Sequence, residues 1–173
     1  PASYDFHLGQ RFLILPNLSE NGGILNLGEA MLTFAPQMVE KDSAVIQSNG
    51  FLLALTLEYF KFPSDLCGMV KQKSSLGRLG LSCSNGDAGW VDPGFEGHIV
   101  LELVNNGPFA IRLTSGMAIG QLVYMYTTAN PIEVKPEVYS GNFQKQQDFN
   151  ILGWKKALFS NNYMSNLIRQ TYI

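Results

Sequence analysis

The chain has 173 residues, of which 46% are hydrophobic and 15% are charged, and its formal net charge is −2. This length fits one globular domain with a real core, and this composition excludes a disordered chain. The slight negative charge provides no positive field to attract nucleic acid, and no apolar run reaches the about 20 residues that cross a bilayer. No signal peptide is visible, so we expect a cytoplasmic protein that binds neither nucleic acid nor membranes.

The two cysteines, Cys67 and Cys83, do not have the spacing of a metal site. We expect two buried, reduced thiols, as is usual in a reducing compartment. The low charged fraction indicates that part of the surface is buried between subunits.

Short apolar segments alternate with turns rich in Gly, Pro, Asn and Asp along most of the chain. Short strands with turn signals at roughly ten-residue spacing are typical of an all-β sandwich or barrel. The pattern therefore predicts a mainly β fold. The segments are 12–15, 51–59, 98–104, 109–113 and 119–124.

The C-terminal stretch has a different periodicity. Its apolar residues recur at helical spacing, which predicts two short helices separated by Asn161-Asn162. We expect a body at 1–147 and a helical tail at 148–173 that packs on the body or on a neighbouring subunit. A regulatory or partner-binding tail is the alternative.

The segment 71–81 combines three cations, two hydroxyls and two glycines. Glycines let a backbone approach an anion closely, and Arg can hold a phosphate through two parallel hydrogen bonds. This composition suits a phosphate cradle, and a solvated turn would have the same composition. The P-loop pattern is absent.

The segment 98–104 predicts a strand whose side chains alternate between two faces. Ile99, Leu101 and Leu103 share one face, and Glu102 shares the other with two valines. A carboxylate between valines suits a group that takes and returns a proton near neutral pH. A solvent-exposed or salt-bridged strand glutamate fits the same pattern.

Several motifs resemble those of the dCTP deaminases, which are relatives of the trimeric dUTPases. The segment 74–81 (SSLGRLGL) resembles the R-S-S-x-[AG]-R motif, and 92–97 (DPGFEG) followed by Val100-Leu101-Glu102 resembles the D-P-G-[FW]-x-G…LE motif. The segment 1–9 resembles the P-A-S-x-D-x-x-L-G motif. Further matches, in the family's order, are 55–59, 116–122 and 139–146.

The resemblance implies a distorted β-barrel or jelly-roll of the dUTPase-like type, assembled as a homotrimer with active sites between subunits. It also implies hydrolytic deamination of dCTP at cytosine C4 without zinc, as part of pyrimidine deoxynucleotide metabolism. The sequence agrees, because the H-x-E and P-C-x-x-C patterns of zinc deaminases are missing. Whether dTTP acts as a feedback inhibitor stays open.

The motifs carry roles over to individual residues. Glu102 is the expected general base, and Ser74, Arg78 and the carbonyl of Ala88 would hold the water and the cytosine. Asp92 would accept a hydrogen bond from the deoxyribose 3′-hydroxyl. The triphosphate, with Mg²⁺ on its own oxygens, would be bound by Lys73, Ser75, Gln121, Tyr139 and Gln146. The remaining expected substrate contacts are Leu76, Gly77, Val100, Leu101 and Asn142.

Four features depart from the family pattern. Lys73 replaces an Arg and so loses the two-pronged grip, Asn142 stands where a phosphate-binding Lys is common, and Asp87 stands where Thr is usual. The family's C-terminal tail is replaced by 148–150 and the predicted helices. These changes could weaken triphosphate binding or alter closure of the C-terminus.

The segment 88–92 (AGWVD) resembles the pattern of family members that continue from dUTP to dUMP and diphosphate. Asp92 also aligns with the aspartate that activates water in dUTPases. We therefore expect a bifunctional enzyme. The alternatives are a monofunctional deaminase that releases dUTP and a catalytically weak nucleotide-binding homologue with a regulatory role.

Overall fold

The computed structural model describes residues 3–15, 36–83, 89–127 and 145–149. Within these ranges the chain forms twelve strands and one helical turn, which confirms the predicted mainly β fold. The elements are β1 (Ser3–Ile14), β2 (Gln37–Glu40), β3 (Ser43–Ile46), β4 (Phe51–Thr56), β5 (Phe60–Lys61), β6 (Leu66–Gln72), α1 (Ser74–Gly77), β7 (Leu81–Cys83), β8 (Trp90–Val91), β9 (Glu96–Gly97), β10 (Val100–Asn105), β11 (Ile111–Thr114) and β12 (Ala118–Tyr126).

The strands form one large antiparallel sheet and two small ones. The large sheet has the order β7-β10-β4-β1-β12-β6-β8, with β2 also paired to β1, and the small sheets are β3–β11 and β5–β9. In the part of the chain that the structure describes, no helix is long and apolar enough to cross a membrane. The predicted C-terminal helices lie outside the described residues, as do Asp87, Ala88, Tyr139 and Asn142.

Strand β1 joins the two halves of the large sheet. Residues 3–7 pair with β12, whereas the second half pairs with β4 and β2. The register against β4 shifts between Leu8 and Phe12, which is the signature of a bulge. Gly9 lies in this bulge, where a Cβ would come within 2.8 Å of the Leu55 carbonyl oxygen. Glycine therefore allows β1 and β4 to approach closely at this point.

The core consists of two clusters on opposite faces of the β10–β4–β1 part of the sheet. The main cluster includes Leu101 and Leu103 of β10, both fully buried. The smaller cluster contains Leu13, Leu53, Leu55 and Phe149, with Val100 packed against it. The strand predicted at 98–104 begins only at Val100. Its first two residues instead bond elsewhere, His98 N–H to the Gln146 carbonyl and Ile99 N–H to the Thr56 hydroxyl.

Candidate functional site

The helical turn α1 carries the residues expected to hold the water, the base and part of the triphosphate. Ser74, Ser75 and Arg78 are exposed, whereas Leu76 and Gly77 are half-buried. The backbone N–H groups of Leu76 and Gly77 both donate to the Lys73 carbonyl, which forms the turn. The hydroxyls and the guanidinium are therefore presented to solvent, where a ligand can reach them.

Gly80 ends this segment in a left-handed conformation, with φ of 85°. A Cβ on Gly80 would lie 2.5 Å from the Gly107 backbone nitrogen. The carbonyl of Gly80 accepts the Asn106 N–H at 2.8 Å. The second glycine of the SSLGRLGL motif therefore permits contact between the α1 segment and the loop that follows β10.

Two of the expected triphosphate ligands, Lys73 and Gln121, meet at Asp5. The Lys73 ammonium forms an ion pair with Asp5 Oδ2, and Gln121 Nε2 donates to Asp5 Oδ1 at 2.9 Å. The hydrogen bond from Lys73, and then that from Gln121, lowers the pKa of Asp5 below its ordinary value of 3.8. Asp5 lies in the PASYDFHLG segment, and the motif by itself indicates no role for this carboxylate.

Glu102 occupies the middle of β10, and the predicted alternation is confirmed. Leu101 and Leu103 are buried in the main core, while Glu102 and its two valine neighbours are half-buried on the other face. Glu102 pairs with Leu53 of β4, and Leu53 pairs with Leu13 of β1. The carboxylate therefore lies in a row of leucines, partly screened from water and still accessible.

Asp92 begins the turn that leads from β8 to β9. Its carbonyl accepts the Phe95 N–H at 3.1 Å, and Pro93 and Gly94 occupy the central positions. Gly94 has a φ of 78°, as the third position of a type II turn requires. The Asp92 side chain is exposed. The DPGF motif thus encodes a turn that holds an accessible carboxylate at the sheet edge.

Gln146 lies against the start of β10. It forms a parallel bridge with Gly97, and its carbonyl accepts the His98 N–H at 2.8 Å. Gln146 is only 6% exposed, and its Nε2 has no hydrogen-bond partner among the described residues. A buried amide donor in this state is well suited to an incoming acceptor.

Asn105, at the end of β10, is a residue that the sequence indicated only as part of a turn. It is fully buried, and its Nδ2 lies within 2.7–3.1 Å of the carbonyls of Ile46, Gln47 and Phe109. Its Oδ1 accepts the Gly107 N–H at 2.9 Å. Asn105 therefore organises the loop that contacts Gly80, and so links the Glu102 strand to the α1 segment.

The structure brings the expected residues together in two groups. Lys73 and Gln121 meet at Asp5, and Gln146 bridges to Gly97, just before the strand that carries Val100, Leu101 and Glu102. Ser74, Ser75 and Arg78 lie on α1, which connects to β10 through β7 and the Gly80–Gly107 contact. Within the described ranges, no group of three or more His, Cys, Asp or Glu side chains could hold a metal ion.

The chain is similar in sequence to known proteins of one family. A model of a family described as dCTP deaminase-like matches residues 1–127. A "dCTP deaminase, dUMP-forming" of Sulfurihydrogenibium sp. is 38% identical over 149 residues, which cover 85% of this chain and 78% of the relative. A protein of the same description from Persephonella marina is 41% identical, with the same coverage.

The fold is similar to that of a solved 2′-deoxycytidine 5′-triphosphate deaminase from Agrobacterium tumefaciens. The TM-score is 0.53 at 19% sequence identity, and the match covers 73% of this chain but only 39% of that longer chain. This likeness concerns the fold alone. The family match and the sequence identities above show that the chain belongs to the dCTP deaminase-like family.

Proposed function

We propose that this protein hydrolyses dCTP to ammonia and dUTP, and then converts dUTP to dUMP and diphosphate. The proposal rests on the position of Glu102 in β10. This carboxylate is half-buried between two valines on its face of the strand, and Leu53 of β4 lies opposite it. Relatives described as dUMP-forming dCTP deaminases support the second step. The AGWVD segment at 88–92 predicts the same outcome.

In the first step, Glu102 takes a proton from water as the water oxygen attacks cytosine C4. The carboxyl then passes this proton to N3, which restores the carboxylate. The carboxylate next takes the remaining hydroxyl proton from the oxygen on C4 and delivers it to the amino group, so that ammonia leaves and the C4 carbonyl forms. Ser74 and Arg78, together with the Ala88 carbonyl, orient the water and the base. Their hydrogen bonds replace the Lewis acid of a zinc deaminase.

In the second step, water attacks the α-phosphorus of dUTP and diphosphate leaves, which yields dUMP. The exposed Asp92 accepts the water proton and also binds the 3′-hydroxyl. Lys73, Ser75, Gln121, Tyr139 and Gln146 bind the triphosphate. Mg²⁺ would be held by the phosphate oxygens and would neutralise their charge.

We also propose a homotrimer with its sites between subunits. One outward row of the sheet is apolar: Trp90, which is 59% exposed, pairs with Met69, and Met69 pairs with Val123. A second copy of the chain would cover this row and bring α1 of one subunit to β10 of the next. The molar mass in solution, measured by light scattering, tests this assembly.

The test of the activity is product analysis after incubation with dCTP and Mg²⁺. We expect ammonia and dUMP from the wild type, and a loss of ammonia release by about 10²–10⁴-fold in Glu102→Gln, which keeps the size but not the proton acceptor. Glu96→Gln is the matched control, because it makes the same change at a carboxylate that accepts from Tyr59, pairs with Lys61 and has no assigned role in the reaction. Equal rates in the two variants would refute the role of Glu102.

A second candidate is a nucleotide-binding homologue with little turnover. It is favoured by the engagement of Lys73 and Gln121 with the carboxylate of Asp5, which competes with phosphate for both groups. Tight dCTP binding with no ammonia release would establish this alternative. Accumulation of dUTP would instead indicate a monofunctional deaminase.

A further inference from the structure

The C-terminal strap, which we define as residues 145–149, is attached to the body from two sides. On one side Gln146 bridges to Gly97 and accepts the His98 N–H at 2.8 Å. On the other side the Arg11 guanidinium donates to the Gln147 carbonyl. The strap therefore spans from the start of β10 to β1, with β4 between these two strands in the sheet.

Gly97, the last glycine of the DPGFEG segment, makes this attachment possible. A Cβ at Gly97 would lie 2.7 Å from the Gln146 nitrogen and 2.9 Å from its carbonyl oxygen. Both atoms belong to backbone that cannot move without loosening the strap. The motif glycine therefore serves the docking of the C-terminus as well as the local turn.

Phe149 anchors the end of the strap. It is 1% exposed and packs with Leu13, Leu53 and Leu55, against which Val100 is also packed. Leu53 pairs with Glu102, and Val100 lies two residues before it on the same strand face. Phe149 is thus buried on the face that carries Glu102, and it closes the apolar side of the site.

We propose that Phe149 is a positioning residue for the substrate. By burying its ring on the Glu102 face, it holds the strap so that Gln146 presents its unpartnered, buried amide to the bound nucleotide. Ordering the five residues of the strap costs conformational entropy. One backbone bridge and one arginine contact are too weak to offset this cost, so the buried ring has to contribute. The inference rests on the proposed function, in which Gln146 binds the triphosphate.

This role differs measurably from that of an ordinary core residue. Gln146 binds phosphate oxygens that are present in both the ground state and the transition state, so its loss should raise KM and leave kcat largely unchanged. An opened strap should also release the His98 N–H from its bond to Gln146. A purely structural phenylalanine would lower stability without separating KM from kcat.

The experiment compares Phe149→Ala, Phe149→Leu and Phe109→Ala in the full chain. Phe109 is 50% exposed in the loop after β10 and provides the matched control. We expect Phe149→Ala to raise KM for dCTP about tenfold with kcat within about threefold, and to accelerate both hydrogen exchange at His98 and tryptic cleavage after Lys145. Phe149→Leu should restore most of the affinity, and Phe109→Ala should match the wild type.

Several results would overturn the inference. One is an unchanged KM in Phe149→Ala, whether or not the strap opens. Another is a loss of both kcat and thermal stability in Phe149→Ala that Phe149→Leu does not restore. If Phe149→Ala fails to fold, Phe149→Val replaces it, since this variant shortens the buried side chain without removing it entirely. An unchanged KM together with unchanged His98 exchange in Phe149→Val then counts against the inference.

Failure of the proposed function gives a different result. If the wild type releases no ammonia, calorimetric dCTP affinity replaces KM in the same comparison. A Kd about tenfold weaker in Phe149→Ala then supports the positioning role, and an equal Kd refutes it.

Discussion

Gly80 offers the sharpest test of how the α1 segment is held in place. Its φ of 85° lies in the left-handed region, and a Cβ would come within 2.5 Å of the Gly107 nitrogen and 2.6 Å of its Cα. Gly116 has nearly the same φ, 83°, but nothing lies within 4 Å of its hypothetical Cβ. Gly80→Ala and Gly116→Ala therefore share the same backbone strain and differ in crowding.

The expected losses of stability in the two variants follow from two energetic costs. The left-handed conformation costs a residue with a Cβ about 1–2 kcal/mol, and this cost applies to both positions. Overpacking against backbone at Gly80 adds about 1–3 kcal/mol, because the Gly107 loop has to move. We expect the free energy of unfolding to fall by about 2–5 kcal/mol in Gly80→Ala and about 1–2 kcal/mol in Gly116→Ala. The loss of freedom in the unfolded chain is the same in both variants and cancels.

Urea denaturation of both variants measures this difference, with equal m-values as the sign that the unfolded states are comparable. We also expect KM for dCTP to rise in Gly80→Ala, because the shifted loop displaces Ser74 and Arg78. Equal losses of stability in the two variants would refute the argument that close contact between Gly80 and Gly107 fixes this segment.

Three further predictions concern Asn105, Asp5 and Lys73. Asn105→Ala should reduce the free energy of unfolding by about 2–4 kcal/mol. Asn105→Asp should reduce it by more, because an oxygen would then face the carbonyls of Ile46, Gln47 and Phe109. Urea denaturation measures this order, and a smaller loss in Asn105→Asp than in Asn105→Ala would contradict it. The pKa of Asp5 is lowered by the Lys73 and Gln121 hydrogen bonds, so their contribution to stability is fully present above the ordinary value of 3.8 and is lost as the pH falls through the lowered pKa. The gap in Tm between wild type and Asp5→Asn should therefore be constant from pH 7 to about pH 4 and shrink in stronger acid; a gap that widens there would contradict the ion pair. Lys73→Arg restores the two-pronged phosphate grip and should lower KM for dCTP by about threefold to tenfold, and an increase in steady-state KM would show that Asp5 requires the lysine.

The local pattern of the chain was sufficient for several of these features. Alternation along β10 placed Glu102 opposite the buried leucines, because the period of a strand is two whatever it pairs with. Pro93 and Gly94 encode a turn through their own backbone preferences. The apolar segments identified five of the strand regions, although β1 begins at Ser3, well before its apolar end.

Other features required the strand order and register. Asp5 meets Lys73 and Gln121 across separations of 68 and 116 residues, and no local pattern indicates that these three side chains converge. Asn105 looks like a turn residue in the sequence, yet it is fully buried, and two neighbouring segments, at 46–47 and at Phe109, direct three carbonyls towards it.

Phe149 also shows the difference between what the sequence indicates and what the fold decides. From the sequence it belonged to a divergent tail, whereas in the fold it is buried on the Glu102 face. Residue type and spacing determine which face a side chain occupies and where the chain turns, since these depend on bonds between near neighbours. Which distant segment covers that face depends on the pairing of β1, β4 and β10, and only the assembled sheet decides it.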